Sequence, residues 1–198
     1  MSGKQDANLK SRMEVRCHSG FKSRPQKQGE LKMPIYMKFG DVKGESTEGK
    51  HKDWINIESC SFGVVRSGTG AATSGAGGST TGHAMFQDVS FHKPVDKATP
   101  LLFKHACKGL HAKEVCVDFT ETNEKGEVMH MQLKLYDAIV SSQSISGQGH
   151  GGHTHPTESL TLNFHKIWMS DAPKKTGSGL DAAVKYGWDV RKSEEFSA

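Results

Sequence analysis

No apolar run in these 198 residues approaches the ~20 needed to cross a bilayer as a helix, so stable membrane insertion by a helix is excluded. The four cysteines, Cys17, Cys60, Cys107 and Cys116, never fall in C-x-x-C spacing. That excludes the usual zinc-knuckle and dithiol motifs and leaves four reduced thiols with no structural disulfide. No G-x-x-x-x-G-K-(S/T) segment is present, so a phosphate-cradling loop is disfavoured. No local Ser/His/Asp order, cysteine-nucleophile signature or close carboxylate pair marks a catalytic centre. A net charge is also missing where it would matter: residues 33–198 hold 18 basic against 19 acidic side chains. The formal +4 therefore belongs to the first 32 residues, and the remainder carries no footprint for nucleic acid.

Residues 1–32 contain eight Lys/Arg and three Asp/Glu, with no apolar core and no small-residue cleavage site, so they do not read as a Sec signal peptide. They have neither a helical nor a strand period, which predicts disorder in isolation. A basic arm for an acidic surface is one role for such a segment. A misassigned start, with translation beginning at Met33, is another. Residues 33–198 form the second, folded region.

In that region the dominant period is two. Ile35, Met37 and Phe39 alternate with Tyr36 and Lys38; Val115, Val117 and Phe119 with Glu114, Cys116 and Asp118; Met129, Met131, Leu133 and Leu135 with His130, Gln132 and Lys134. Asn123-Glu124-Lys125-Gly126 joins the last two runs, predicting an antiparallel hairpin. Further strands are expected at Trp54 to Val65, Ala84 to Lys93, Ala138 to Ser146, Glu158 to Ser170 and Lys185 to Lys192. About 7–9 strands at this spacing predict a mainly β fold, a single barrel of two packed antiparallel sheets with long extended loops. One segment, residues 99–108, predicts a short α-helix with Thr99 as N-cap, Pro100 opening it and Gly109 closing it. Its apolar stripe, Leu102, Phe103, Ala106, Cys107 and Leu110, must dock on the β core for so short a helix to be stable.

Two loops stand out. Ser67 to Gly82 is built of small residues, with glycine at Gly68, Gly70, Gly75, Gly77, Gly78 and Gly82, and is far longer than a usual hairpin connection. It is either an excursion with no fixed partner or a segment ordered against a neighbouring subunit. The second, Ser146 to Pro156, holds His150, His153 and His155, a weak candidate metal set because glycines surround it and no acidic residue lies nearer in sequence than Glu158. No metal or other cofactor is assigned. Near the end of the 158–170 strand, Ile167, Trp168 and Met169 are apolar on both faces. Either one face meets the core and the other a neighbouring copy, or both are buried in the same chain.

Several blocks carry a family resemblance. Met33 to Ser46 runs an alternating strand into Gly40-Asp41-Val42-Lys43-Gly44-Glu45-Ser46; Gln87-Asp88-Val89-Ser90-Phe91-His92-Lys93 continues through Asp96 to Thr99-Pro100. Ala138 to Ser142, Thr157 to Phe164 and Tyr186-Gly187-Trp188-Asp189-Val190-Arg191 follow in order. This series resembles the Hcp family, the tube protein of bacterial type VI secretion, over Met33 to Arg191. The leader, the long small-residue loop and the three histidines depart from the family pattern.

The resemblance implies a fold like that of phage tail-tube proteins and a structural role without catalysis. It implies six-membered homo-oligomeric rings stacked into a tube inside a contractile sheath, tipped by a VgrG-type spike and joined to a baseplate. It further implies a bacterial cytoplasmic protein exported without a Sec signal, with small effectors held in the ring lumen. Ser61 stands where the family has a small polar residue on the inner wall, and alternation places Ser59, Ser61 and Gly63 on one face, with Cys60 and Phe62 on the other. The glycine loop is expected to contact the next ring, and Ile167 to Met169 to meet a neighbour within it. A metal-binding enzyme or effector using His150, His153 and His155 on the same barrel is the competing reading, since fold alone does not fix function.

Overall fold

The computed structural model describes residues 33–68, 81–123, 126–147, 149, 155–172 and 182–197. The expectations for residues 1–32, for Gly70, Gly75, Gly77 and Gly78, and for His150 and His153 lie outside these residues. Strand β1 (Ile35–Phe39) pairs antiparallel with β2 (Ile55–Ile57) on one side and β7 (Ala112–Asn123) on the other. β7 turns back into the 21-residue β8 (Gly126–Ser146), with Asn123 opposite Gly126 as the hairpin motif predicts. On the far side of β8 lie β10 (Lys166–Asp171), β11 (Val184–Asp189) and the edge strand β12 (Glu194–Glu195).

A second layer grows from the other half of β8, which pairs with β9 (Thr157–Asn163), then β6 (Val89–Pro94), then β3 (Ser59–Ser61). The two layers share β8 and enclose one core, with Met37, Ile55, Leu133 and Leu135 from the first and Val89, Phe91, Leu160 and Leu162 from the second, all fully buried. Each such side chain contributes roughly 1.5–3 kcal/mol by burial. A separate hairpin, β4 (Val64–Gly68) with β5 (Thr81–Phe86), carries the ends of the glycine-rich loop, including Gly68 and Gly82. The mainly β architecture is as the alternation predicts. The sheet, however, is not closed into a barrel, because β2 and β3 flank a bend and do not pair.

Several expected strands divide where the chain changes partner. At Glu58 the N–H donates to His92 O at 2.8 Å and the chain passes from β1's layer to β6's. The 84–93 run breaks at Gln87, whose N–H goes to Gly63 O, and the 158–170 run breaks at His165, whose N–H goes to Tyr136 O. Alternation reports which face is apolar and is silent on a change of neighbour. The opposite happens in β8, one strand where two segments are expected. It turns from β10 to β9 at Asp137, a non-glycine residue at φ +53°.

α1 (Thr99–Lys108) ends at Gly109 in the left-handed region, as expected. Its cap is Ala98, not Thr99, because the Asp96 carboxylate accepts the Ala98 N–H at 3.0 Å and frees the Thr99 hydroxyl for another partner. Only Leu102 and Ala106 of the stripe pack on the core; Phe103 and Cys107 are exposed, and so is Leu110 just beyond the helix. The helix is pinned instead by a polar knot. Lys93 Nζ, completely buried, donates to Pro94 O (2.9 Å), Asp96 Oδ1 (2.9 Å), Thr99 Oγ1 (3.2 Å) and Glu158 Oε2 (3.0 Å). Glu158 also accepts from Thr99 Oγ1 at 2.5 Å and Gln143 Nε2 at 2.7 Å, which ties β6, β8, β9 and α1 together.

Candidate functional site

In the layer of β3, β6, β9 and the C-terminal half of β8, alternation sends Val89, Phe91, Leu160 and Leu162 inward and leaves the opposite face almost wholly hydroxyl. One row across the four strands reads Ser61, Ser90, Thr161, Ser142; the next reads Ser59, His92, Ser159, Ser144. Ser59, Ser61, His92, Ser142 and Ser144 are exposed, while Ser90, Ser159 and Thr161 are half-buried. The irregularity between Val140 and Ser142 sets the register that puts Ser142 and Ser144 in these rows and turns Gln143 inward to Glu158. The face is laced by hydrogen bonds: Ser159 Oγ and His92 Nδ1 lie 2.9 Å apart, and Ser141 Oγ lies 2.8 Å from Thr161 Oγ1 while donating to Asp88 Oδ2 at 2.5 Å. Asn163 Nδ2 donates to the other Asp88 oxygen at 2.7 Å. Apart from His92, no side chain in the two rows titrates, so the rows are hydrophilic and nearly uncharged, with the Asp88 carboxylate beside them.

Ser59 and Ser61 thus lie on one exposed face, with Cys60 and Phe62 packed toward the core. The other six members of the rows escaped attention in the sequence. Their signal was the polar half of the same alternation, at Ser90 and His92, Ser142 and Ser144, and Ser159 and Thr161.

The remaining candidate residues are placed less as expected. Ile167 joins the core and Met169 packs against it, while Trp168, on the other face, is only 8% exposed and lies under Lys134 Nζ, 5.4 Å from its ring. Of the two readings open for this face, a neighbouring copy or the chain itself, the Trp168 ring is covered within its own chain. Large exposed apolar side chains instead sit on the β4–β5 hairpin, at Val64, Val65 and Met85, and on β11 at Val184 and Tyr186. His155 is exposed where the chain enters β9.

Two histidine-carboxylate groupings were not apparent in the sequence. At the β8 bend, His111 and His165 both hydrogen-bond Asp137, and Arg191 donates to His165 Nε2 at 2.6 Å. Desolvation pushes the Asp137 carboxyl up, but its two histidine partners outweigh this and hold it below the usual carboxylate range. The second grouping lies under the 43–54 loop, where buried His51 stacks on Tyr36 and bridges Glu48 and Asp118. Asp118, expected on an outward polar face of β7, is consequently buried. Neither Cys60 nor Cys116 has thiolate character, since burial pushes each thiol up to about 12, Cys116 with help from Asp118. Among the described residues all cysteines are free.

Residues 36–170 match the family model described as type VI secretion system effector, Hcp. The chain belongs to the Hcp family. Protein hcp1 of Pseudomonas aeruginosa is 32% identical over 164 residues, 82% of this chain and 98% of its own length. The solved Hcp1 from Salmonella typhimurium shares the fold at a TM-score of 0.68 and 23% identity, covering 83% of this chain and 99% of its own. A structure of a type six secretion system protein reaches 0.77 at 24% identity, covering 83% of this chain and 100% of its own. Family membership makes the chain a structural tube component of type VI secretion, not an enzyme. Hcp proteins are secreted by that system, and no helix among the described residues is long and apolar enough to cross a membrane.

Proposed function

We propose that this Hcp chain closes into a homohexameric ring whose bore is lined by the serine-rich face, and that such rings stack into the inner tube expelled by sheath contraction. The two rows of Ser, Thr and His across β3, β6, β9 and β8 carry the reading. A conduit wall of this kind offers cargo hydrogen bonds without large apolar contacts that would trap it and with little fixed charge to repel it. Head-to-tail contacts close the ring. They draw on the apolar groups a lone chain leaves in water, Val64, Val65 and Met85 on the β4–β5 hairpin and Val184 and Tyr186 on β11. The Ser67 to Gly82 loop, carried by that hairpin, reaches the next ring of the stack. The VgrG-type spike, sheath and baseplate are the tube's partners, and small effectors occupy the bore.

Ser61→Gln tests the wall. The longer side chain narrows the bore without adding charge, so rings are expected to assemble and be secreted normally while co-secretion of a bore-bound effector falls. Equal loss of ring and cargo would place Ser61 at a subunit contact. No loss of either would mean that cargo does not touch this strand.

A further inference from the structure

The 43–54 loop leaves β1 and returns to β2 through a short backbone ladder in which Gly44 and Ser46 donate to Asp53 O and Trp54 O. Its inner side brings Glu48 and His51 against Glu127 of β8, and one ligand atom from each of the three lies within 4.8 Å of the others. Each is held by groups that leave metal-binding capacity free. Glu48 Oε2 accepts the Lys50 and His51 amides at 2.9 and 2.8 Å, so the carboxylate keeps its place whatever the imidazole does. His51 Nε2 contacts Asp118 Oδ2 at 2.9 Å, and Asp118 is itself fixed by Gln132 Nε2 at 2.8 Å. A carboxylate behind one ring nitrogen is the arrangement that orients a histidine ligand and makes its other nitrogen a better donor. Glu127 is aimed by the Tyr36 hydroxyl, which donates to Oε1 at 2.9 Å. Its second oxygen, Oε2, is buried and has no hydrogen-bond partner among the described residues.

The charges also do not balance. Glu48 and Asp118 flank His51, and among the described residues no lysine or arginine pairs with either of them or with Glu127. A buried carboxylate oxygen without a donor is costly, and an excess of buried negative charge is relieved by a cation.

We propose that Glu48, His51 and Glu127 form a divalent-cation site, occupied by Zn²⁺ through His51 Nδ1 and one oxygen from each glutamate, with Asp118 and Tyr36 as the groups that orient the ligands. A mixed imidazole and carboxylate set suits zinc at ligand distances of about 2.0–2.2 Å. The ion takes the place of the proton between His51 Nδ1 and Glu48, now 2.7 Å apart, and that proton is released to solvent. Its role is to staple the 43–54 loop to the β7–β8 hairpin, independently of the bore.

The test uses the full chain, stripped by a chelator and titrated with ZnCl₂ by calorimetry, with elemental analysis after dialysis and amide exchange over residues 43–54. One zinc per chain and slowed exchange in that loop are expected. Glu127→Gln keeps the shape and the Tyr36 contact and should weaken binding at least about tenfold, while a chain with His150, His153 and His155 all changed to Ser binds as before. The proposal is overturned if the stripped chain takes up no stoichiometric zinc. It is equally overturned if Glu127→Gln binds zinc as tightly as the unaltered chain, which would put the ion elsewhere, the histidine-rich segment included.

Discussion

Lys93→Met removes the centre of the knot that holds α1 to the second layer. Methionine matches the buried stem in length, so the volume and apolar contacts of a fully buried side chain are kept and the change isolates the ammonium. Four donor contacts are lost, and Glu158, also completely buried, keeps Thr99 and Gln143 but loses the ammonium paired with it. Stranding one partner of a buried ion pair costs about 3–5 kcal/mol. At roughly 2–4 °C per kcal/mol for a chain of this size, Tm should fall by about 10 °C. Adding Glu158→Gln removes the stranded charge and should recover more than half of that loss, a coupling that two independent sites would not show. Melts at pH 7 and one fixed protein concentration give the numbers, since assembly makes Tm concentration-dependent. A single-variant loss under 2 °C, or a double variant as unstable as the sum of the singles, would refute the claim that the knot anchors the helix.

Two further outcomes follow from the packing. Gly44→Ala would place a Cβ 2.3 Å from Trp54 O and 2.5 Å from Ile55 Cα, both backbone, so the 43–54 loop must shift; a loss of about 1–3 kcal/mol in denaturant unfolding and faster amide exchange at Ser46 and Trp54 are expected. Asp189 accepts from Lys166 Nζ and the Arg191 and Lys192 amides, which hold its carboxyl below the usual range. Its stabilising effect is therefore present above the unfolded value near pH 4 and is lost as pH falls through the folded one. Asp189→Asn should be less stable at pH 7 and show a shallower loss of stability between pH 5 and pH 2, measured by urea midpoints.

The period-two pattern carried most of the fold. It marked the hairpin at Asn123 and Gly126, the inward set Val115, Val117, Leu133 and Leu135, and the outward Ser59 and Ser61. What it missed are places where a residue's surroundings come from distant chain. Asp118 looks solvent-facing in β7 until the 43–54 loop lays His51 on it, 67 residues away in sequence. Lys93 reads as an exposed strand lysine, yet Glu158 lies 65 residues on and meets it in the core. Trp168 suggested an outward apolar patch because sequence shows a bulky side chain on the second face and not the Lys134 above it. The serine wall was only partly legible for the same reason: each strand shows its own polar half, but the rows exist only once β3, β6, β9 and β8 are in register.

Light scattering of the purified chain at micromolar concentration, coupled to size separation, tests the ring most directly. One species of about 130 kDa is expected, six times the 21.6 kDa chain, seen as closed rings with a central bore by negative-stain microscopy. A stable 21.6 kDa monomer at that concentration would contradict it.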